Sequence, residues 1–342
     1  MIKSCLMKSQ SFPRLKNIIS SFKNKKILVV GDLILDEFIW GNVSRISPEA
    51  PVPVVWVKNE SFMPGGASNV ANNINALGGK AYLAGVIGSD ERAAILKGEL
   101  IHRGVDIEGV IMDKERPTTL KTRVIAHQQQ VVRIDKENIE PVRNSTLKKL
   151  ANYIEKNINL MDGVIVEDYG KGLITSKLLN QIIPIIKAKK KIIAVDPKEE
   201  NFSYYKGVTL LTPNNAEASK AVGFDIKDKN SLKKAGFELL RKLKTRIVLI
   251  TLGENGMMVF EQGKTPKKIE TIAQEVFDVS GAGDTVVSTY TLALISGANS
   301  IQAAHIANCA AGVVVGKVGI AIVNQEEIIN KIRDEIEKAK II

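Results

Sequence analysis

Residues 278–285, which read DVSGAGDT, combine two glycines with a carboxylate directly before an apolar, helix-like segment. Gly281 and Gly283 allow the backbone around Ala282 to turn tightly and to bring its N–H groups close to a ligand. Such N–H groups at the start of a helix form an anion site, and Asp284 in the first turn could take a proton from a hydroxyl group. The arrangement suits phosphoryl transfer, although the four residues alone fit a glycine-rich turn with an aspartate cap equally well.

A second glycine pair, Gly65 and Gly66, precedes another helix-like segment and is followed by Asn69. Glycines permit the close approach of a ligand, and an amide side chain can both donate hydrogen bonds to sugar hydroxyls and accept them. The same residues also fit a simple turn and helix start.

Spacing excludes several familiar active sites. The chain has no G-x-x-x-x-G-K-[ST] phosphate loop, no G-x-G-x-x-G dinucleotide motif and no G-x-S-x-G nucleophile elbow. Two cysteines, Cys5 and Cys309, cannot build a disulfide framework or a four-cysteine zinc site. The three histidines are scattered, so we predict no metal centre built on them.

Apolar runs that alternate with helix-like segments predict a mainly parallel sheet. The continuous run 27–30 is typical of a strand that is buried on both faces. We predict one α/β domain over residues 26–335, preceded by an N-terminal extension of residues 1–25. The proline-flanked run 51–57 and the segment 118–134 predict a small second sheet that acts as a lid, with 51–57 as an edge strand.

Charged residues and glycines follow the predicted strands that end at Val30, Val166, Val195 and Leu211. Because the carboxyl ends of parallel strands meet at one edge of a sheet, these residues should line a common crevice. Such a crevice suits a phosphorylated ligand with a metal ion.

The chain carries 48 Lys and Arg residues against 37 Asp and Glu residues, a net charge of +11. No nucleic-acid-binding motif accompanies this excess, so we predict attraction of phosphorylated small molecules and no nucleic-acid partner. No segment predicts a membrane span or a secretory leader, and the low cysteine content fits a cytoplasmic protein.

Taken together and in this order, the two glycine segments resemble those of the ribokinase-like (PfkB) carbohydrate kinases. The resemblance covers about residues 25–335. Further segments are similar to the heptose 7-phosphate kinases within that family. These segments are Gly31-Asp32 with Asp36, Gln128-Gln129-Gln130 before Arg133 and Asp135, residues 168–172, Asp196-Pro197-Lys198, residues 211–214 with Glu217, and residues 310–317. The resemblance implies a ribokinase-like fold, ATP and Mg²⁺ as cofactors, and phosphorylation of O1 of D-glycero-β-D-manno-heptose 7-phosphate in ADP-heptose biosynthesis.

The resemblance also implies roles for individual residues. Asp284 matches the catalytic base, and the anion hole matches Gly281, Ala282 and Gly283. The residues that match the ATP site are Asn214, Glu217, Thr251, Gly253, Gly256 and Asn308, with Glu217 acting indirectly on Mg²⁺. The residues that match sugar-hydroxyl contacts are Asp36, Gly65, Gly66 and Asn69.

Arg133 and Lys171 are our own candidates for binding the phosphate that the substrate already carries. Such a group requires fixed cations, and arginine can grip it with two parallel hydrogen bonds. Arg133 could equally form an ion pair on the face of its strand. The apolar side chains Val52, Val54 and Trp56 of the lid favour burial, so we expect a homodimer formed through the lid strands.

Two alternatives stay open at the level of sequence. The chain could phosphorylate ribose, fructose or a fructose phosphate, or it could be a non-catalytic sugar or nucleotide sensor. Bifunctional members of the heptose kinase group carry a nucleotidyltransferase domain as well. The chain has no further segment after residue 342, so we expect another protein to perform the adenylylation step.

Overall fold

The computed structural model describes residues 11–127, 129–272, 278–317, 319 and 321–341. The helices in these residues are α1 (Ser11–Ser20), α2 (Ala67–Ala76), α3 (Glu91–His102), α4 (Asn144–Asn157), α5 (Ser176–Ala188), α6 (Asn215–Val222), α7 (Lys229–Leu243), α8 (Ala282–Ile295), α9 (Ser300–Val314) and α10 (Gln325–Ile341). The strands are β1 (Lys26–Gly31), β2 (Leu33–Ile46), β3 (Pro53–Gly66), β4 (Lys80–Ile87), β5 (Asp106–Met112), β6 (Thr119–Ala126), β7 (Gln129–Lys136), β8 (Gly163–Glu167), β9 (Ile192–Asp196), β10 (Leu210–Leu211), β11 (Ile247–Thr251), β12 (Met257–Glu261) and β13 (Lys267–Ile269). None of the helices within the described ranges has the length and apolar character that a membrane crossing requires.

The larger sheet has nine strands in the order β13-β12-β11-β10-β9-β8-β1-β4-β5. Its strands pair in parallel from β11 to β5, and at one edge β12 pairs antiparallel with both β11 and β13. All five residues of β8 are buried, as expected for a strand covered by helices on both faces. The predicted mainly parallel sheet is therefore confirmed.

Helices cover both faces of this sheet, and each face has its own apolar core. Side chains of α1, α2, α3, α8, α9 and α10 form one core, and side chains of α4, α5, α6 and α7 form the other. Leu15, Ile19 and Phe22 are almost fully buried in the first core. The described part of the predicted N-terminal extension thus packs on the domain, whereas the predicted boundaries 1–25 and 26–335 stay a prediction.

A second sheet has four strands in the order β3-β2-β6-β7, with β3 and β7 at its edges. The predicted edge strand 51–57 lies in β3, and the predicted segment 118–134 lies in β6 and β7, with Gln128 outside the described residues. Sequence analysis missed β2, the inner strand that pairs with both β3 and β6. The side chains of β2 are buried at its start and exposed at its end, so no single apolar period marks it.

Candidate active site

The start of α8 places Asp284 at the carboxyl ends of the central strands. Gly281 precedes the helix with a φ of 77°, a left-handed conformation that glycine adopts without strain. Asp284 follows in the first turn and is only 4% exposed. The Ala282 N–H donates a 3.2 Å hydrogen bond to the Val279 carbonyl, and this bond must open before that N–H can reach a phosphoryl oxygen.

Both carboxylate oxygens of Asp284 accept hydrogen bonds from distant parts of the chain. Asn69 Nδ2 on α2 donates to Oδ2 at 2.6 Å, and the Tyr169 hydroxyl after β8 donates to Oδ1 at 3.0 Å. The two glycine segments that open α2 and α8 therefore meet at one carboxylate. A carboxylate oxygen has a second lone pair, so Asp284 can still accept a hydrogen bond from a substrate hydroxyl.

Burial raises the pKa of Asp284 to about 6. The hydrogen bonds from Asn69 and Tyr169 lower this pKa, and the charge of Asp36 raises it. A carboxylate with this pKa is ionised at neutral pH and is more basic than an exposed aspartate, as a general base requires.

Glu167, at the end of β8, and Asp196, at the end of β9, form a buried carboxylate cluster with Asp284. One oxygen from each of the three side chains lies within 4.8 Å of the others. Burial, with neighbouring acids, raises the pKa of Asp196 to about 8 and that of Glu167 well above its ordinary value. Neither oxygen of Glu167 accepts a hydrogen bond from the described residues. Carboxylate oxygens are the hard ligands that Mg²⁺ prefers, so Glu167 and Asp196 fit that ion.

The residues predicted for the ATP site occupy the neighbouring strand ends. Asn214 caps α6, and Glu217 closes the capping box by accepting a 2.8 Å hydrogen bond from the Asn214 N–H. An isolated parallel bridge joins Asn214 to Thr251, at the end of β11. Gly253 and Gly256 follow Thr251 with φ values of 58° and 80°, a left-handed conformation that favours glycine at both positions.

Asn308 lies on α9, where its side chain is buried and donates a 2.7 Å hydrogen bond to the Glu270 carbonyl. This bond fixes the backbone after β13. In the described residues, this bond is the contact that Asn308 makes, and its predicted role in binding ATP stays a prediction.

The residues predicted for the sugar lie in the second sheet and on the helix that follows it, with Asp36 in β2, Gly65 and Gly66 at the end of β3, and Asn69 on α2. A Cβ atom at Gly65 would overlap Oδ2 of Asp36, and a Cβ atom at Gly66 would lie 2.6 Å from the Asp32 carbonyl. Asp36 forms an ion pair with Arg123 of β6. Burial raises the pKa of Asp36, and the charge of Arg123 opposes that shift.

The two predicted phosphate-binding cations are paired with acids of the lid. Arg133, 52% exposed, binds Asp135 at 3.0 Å, and Lys171 Nζ binds Glu137 at 2.7 Å. Neither cation contacts Asp284 in the hydrogen bonds and ion pairs of the described residues. A bound phosphate would have to exchange with Asp135 or Glu137.

Sequence reasoning missed the partners Tyr169 and Arg123, and it assigned no catalytic part to Glu167 or Asp196. The position of Glu167 could have indicated a functional residue, because a charged residue at the end of an otherwise apolar strand is unusual. Nothing in the sequence indicates that Tyr169 reaches a residue 115 positions away.

Comparison with known proteins gives consistent matches. Residues 24–327 match the profile described as pfkB family carbohydrate kinase. The chain is 46% identical over 317 residues to the Bifunctional protein HldE of Desulfatibacillum aliphaticivorans, covering 93% of this chain and 65% of that protein. It is 45% identical over 304 residues to the Bifunctional protein HldE of Helicobacter pylori strain J99, covering 89% of this chain and 65% of that protein. The chain thus spans about 65% of the length of these relatives.

Solved structures share the fold at low sequence identity. Phosphofructokinase-2 from Escherichia coli in complex with potassium matches with a TM-score of 0.76 and 18% identity, over 91% of this chain and 99% of that chain. Arabidopsis thaliana ribokinase complexed with ribose and ATP matches with a TM-score of 0.72 and 19% identity, over 91% of this chain and 99% of that chain. The ribokinase-like fold is therefore confirmed.

Proposed function

We propose that this chain, which belongs to the pfkB family of carbohydrate kinases, transfers the γ-phosphoryl group of ATP to a hydroxyl group of a sugar phosphate. The observation that carries the proposal is the buried Asp284 carboxylate, which lies at the strand ends behind a left-handed glycine turn. A base beside helical N–H groups can deprotonate an alcohol while those groups neutralise the moving phosphoryl.

In this mechanism Asp284 accepts the proton of the acceptor hydroxyl. Asn69 and Tyr169 hold the carboxylate in one orientation through their two hydrogen bonds. The N–H groups of Gly281, Ala282 and Gly283 would bind the phosphoryl oxygens at the start of α8, once the Ala282 N–H has released the Val279 carbonyl. The lid strands exclude water from the sugar, which protects ATP from hydrolysis.

The chain also offers ligands for the Mg²⁺ ion that accompanies ATP in phosphoryl transfer. Bound Mg²⁺ neutralises phosphate charge. Glu167 and Asp196 supply carboxylate oxygens that would hold the ion, and Glu217 is close enough to Asp196 to raise its pKa. This placement supports the predicted indirect role of Glu217.

We propose D-glycero-β-D-manno-heptose 7-phosphate as the acceptor, with transfer to O1 in ADP-heptose biosynthesis. The segments around Asp36, Asp168 and Asp196 and the high identity to the two HldE proteins support this choice. Lys171 and Lys198 line one cavity beside Tyr169, where a substrate phosphate would bind Lys198 and would have to displace Glu137 from Lys171. Ribose, fructose or a fructose phosphate is the alternative acceptor, supported by the fold shared with ribokinase and phosphofructokinase-2.

A coupled ADP-release assay on a panel of sugars tests the substrate. We expect kcat/KM for heptose 7-phosphate to exceed that for ribose or fructose 6-phosphate by about 10²-fold or more, because only a sugar whose phosphate lies at the matching distance can bind the cations and Asp284 at the same time. Phosphorus NMR of the product should show a new phosphate on the anomeric oxygen. A higher kcat/KM for ribose or fructose 6-phosphate would contradict the proposal, and sugar binding without turnover would favour a sensor.

The pH dependence of kcat/KM should report the titration of Asp284. Because only the ionised carboxylate can accept a proton, we expect activity to rise with pH and to reach half its maximum near the Asp284 pKa of about 6. Tyr169→Phe removes a hydrogen bond that lowers this pKa. The acidic limb should then move to higher pH by about half a unit to one unit.

The control for this variant is Tyr153→Phe on α4, which should leave the acidic limb of the kcat/KM profile at the same pH as in the wild type. A profile for Tyr169→Phe that coincides with the wild type would contradict the role of Tyr169. A shift to lower pH would contradict the sign of its effect on the carboxylate.

The lid supports the proposal of a homodimer. Large apolar side chains stand exposed on β2, β3 and β7 and directly before β3, and they include Ile46, Val52, Trp56, Val57, Val131, Val132 and Ile134. Burial of this surface against a second copy would stabilise the pair. Sedimentation velocity at micromolar concentration should show a dimer, and a monomer throughout would contradict the proposal.

A further inference from the structure

Away from the carboxylate cluster, α9 and α10 bring together three side chains that commonly bind transition metals. His305 and Cys309 are four residues apart on α9, so they share one face of the helix. Glu335 on α10 lies opposite them. Sequence analysis predicted no metal centre on the scattered histidines, since it could not place α10 against α9.

Two of the distances among the donor atoms, both measured to Glu335 Oε2, are close to those around a tetrahedral zinc ion. His305 Nε2 lies 3.3 Å from Glu335 Oε2, and Cys309 Sγ lies 3.7 Å from the same oxygen. Ordinary zinc bond lengths place two nitrogen or oxygen ligands about 3.3 Å apart and a sulfur and an oxygen about 3.5 Å apart. All three donor atoms lie within 4.8 Å of one another, so one ion could contact them together.

The surroundings of the three side chains set their protonation states and leave two of them partly exposed. Burial lowers the pKa of His305 to about 4, so its imidazole is neutral at pH 7 and has a lone pair available. Burial and the nearby Glu335 raise the pKa of the Cys309 thiol, so the apo site holds a thiol. The side chains of His305 and Glu335 are 11% and 19% exposed, which leaves a path for an ion.

We propose that His305, Cys309 and Glu335 form a zinc site that fastens α10 to α9. One nitrogen, one thiolate sulfur and one carboxylate oxygen supply three of the four ligands of a tetrahedral site, and water supplies the fourth. On binding, the Cys309 S–H bond breaks, a Zn–S bond forms, and the proton passes to solvent. The soft thiolate selects zinc or cobalt over the Mg²⁺ of the kinase reaction, so the two ions occupy different sites.

Cobalt titration of the full-length chain tests the site, because Co²⁺ bound to a thiolate gives a charge-transfer absorption band. We expect one equivalent of Co²⁺ to produce the band, excess Zn²⁺ to abolish it, and Mg²⁺ to leave it unchanged. Cys309→Ser should lose the band, whereas Cys5→Ser, which removes the other cysteine, should keep it. Glu335→Gln should weaken Co²⁺ binding by about tenfold or more.

A second measurement covers variants that fold poorly. Equimolar Zn²⁺ should raise the unfolding temperature of the wild type, because an ion that binds only the folded state stabilises it. This increase should disappear in His305→Gln, whose circular dichroism reports whether it is folded. Absence of the cobalt band in the wild type, or its loss in Cys5→Ser, would overturn the proposal.

Discussion

Replacing Asp284 by asparagine should lower the turnover number by about 10²–10⁴-fold, the usual contribution of a general base. Asparagine keeps the size of the side chain and can still accept a hydrogen bond from Asn69, but it cannot take a proton from the acceptor. ATP affinity should be kept or slightly increased, because the change removes a negative charge near the phosphates. Steady-state kinetics and equilibrium ATP binding measure the two effects separately.

The matched control is Asp225→Asn, since the Asp225 side chain is 76% exposed and pairs only with Lys227 among the ion pairs of the described residues. Its turnover should equal that of the wild type. If Asp284→Asn retained wild-type turnover, Asp284 would not be the base and the proposed mechanism would fail.

Replacing Gly65 by alanine should raise the KM for the sugar by about 10–100-fold, the loss expected for one hydrogen bond to a charged group. The new Cβ atom would overlap Oδ2 of Asp36, so the carboxylate must leave its present position. The KM for ATP should change little, because Gly65 and Asp36 belong to the lid-side strands β3 and β2.

Gly98→Ala is the matched control, because a Cβ atom there meets no atom within 4 Å. It lies within α3, where alanine is the better helix former, so its stability should not fall. Asp36→Asn tests the same contact without steric overlap, and it should raise the sugar KM even if Gly65→Ala folds poorly. An unchanged sugar KM in both variants would exclude Asp36 from substrate binding.

The parallel sheet could be predicted because its strands are buried on both faces and give continuous apolar runs. The run at β1 and the one at β8 illustrate this pattern. The strand β2 could not be predicted in the same way. The first residues of β2 are buried, and they include Asp36 and Glu37, which form ion pairs with Arg123 and Arg92. The last residues of β2 are exposed to solvent.

For the site, glycines and polar residues at helix starts could be recognised from local chemistry. Their mutual contacts could not, because Asn69 and Asp284 are 215 residues apart and only the packing of α2 against α8 joins them. The pairing of Lys171 with Glu137 was equally hidden, since it joins the loop after β8 to residues beside the lid. Sequence alone supplies the groups of the site, and tertiary structure decides which of them neutralise one another.

The hydrogen bond between Asn69 and Asp284 also bears on how this protein is made. It closes a loop of 215 positions, and closing this loop costs entropy that other tertiary contacts must offset. A growing chain on the ribosome presents its amide early, and the carboxylate emerges only after most of the sheet has been synthesised. A chain that ends before α8 therefore lacks the oriented carboxylate that the proposed transfer requires.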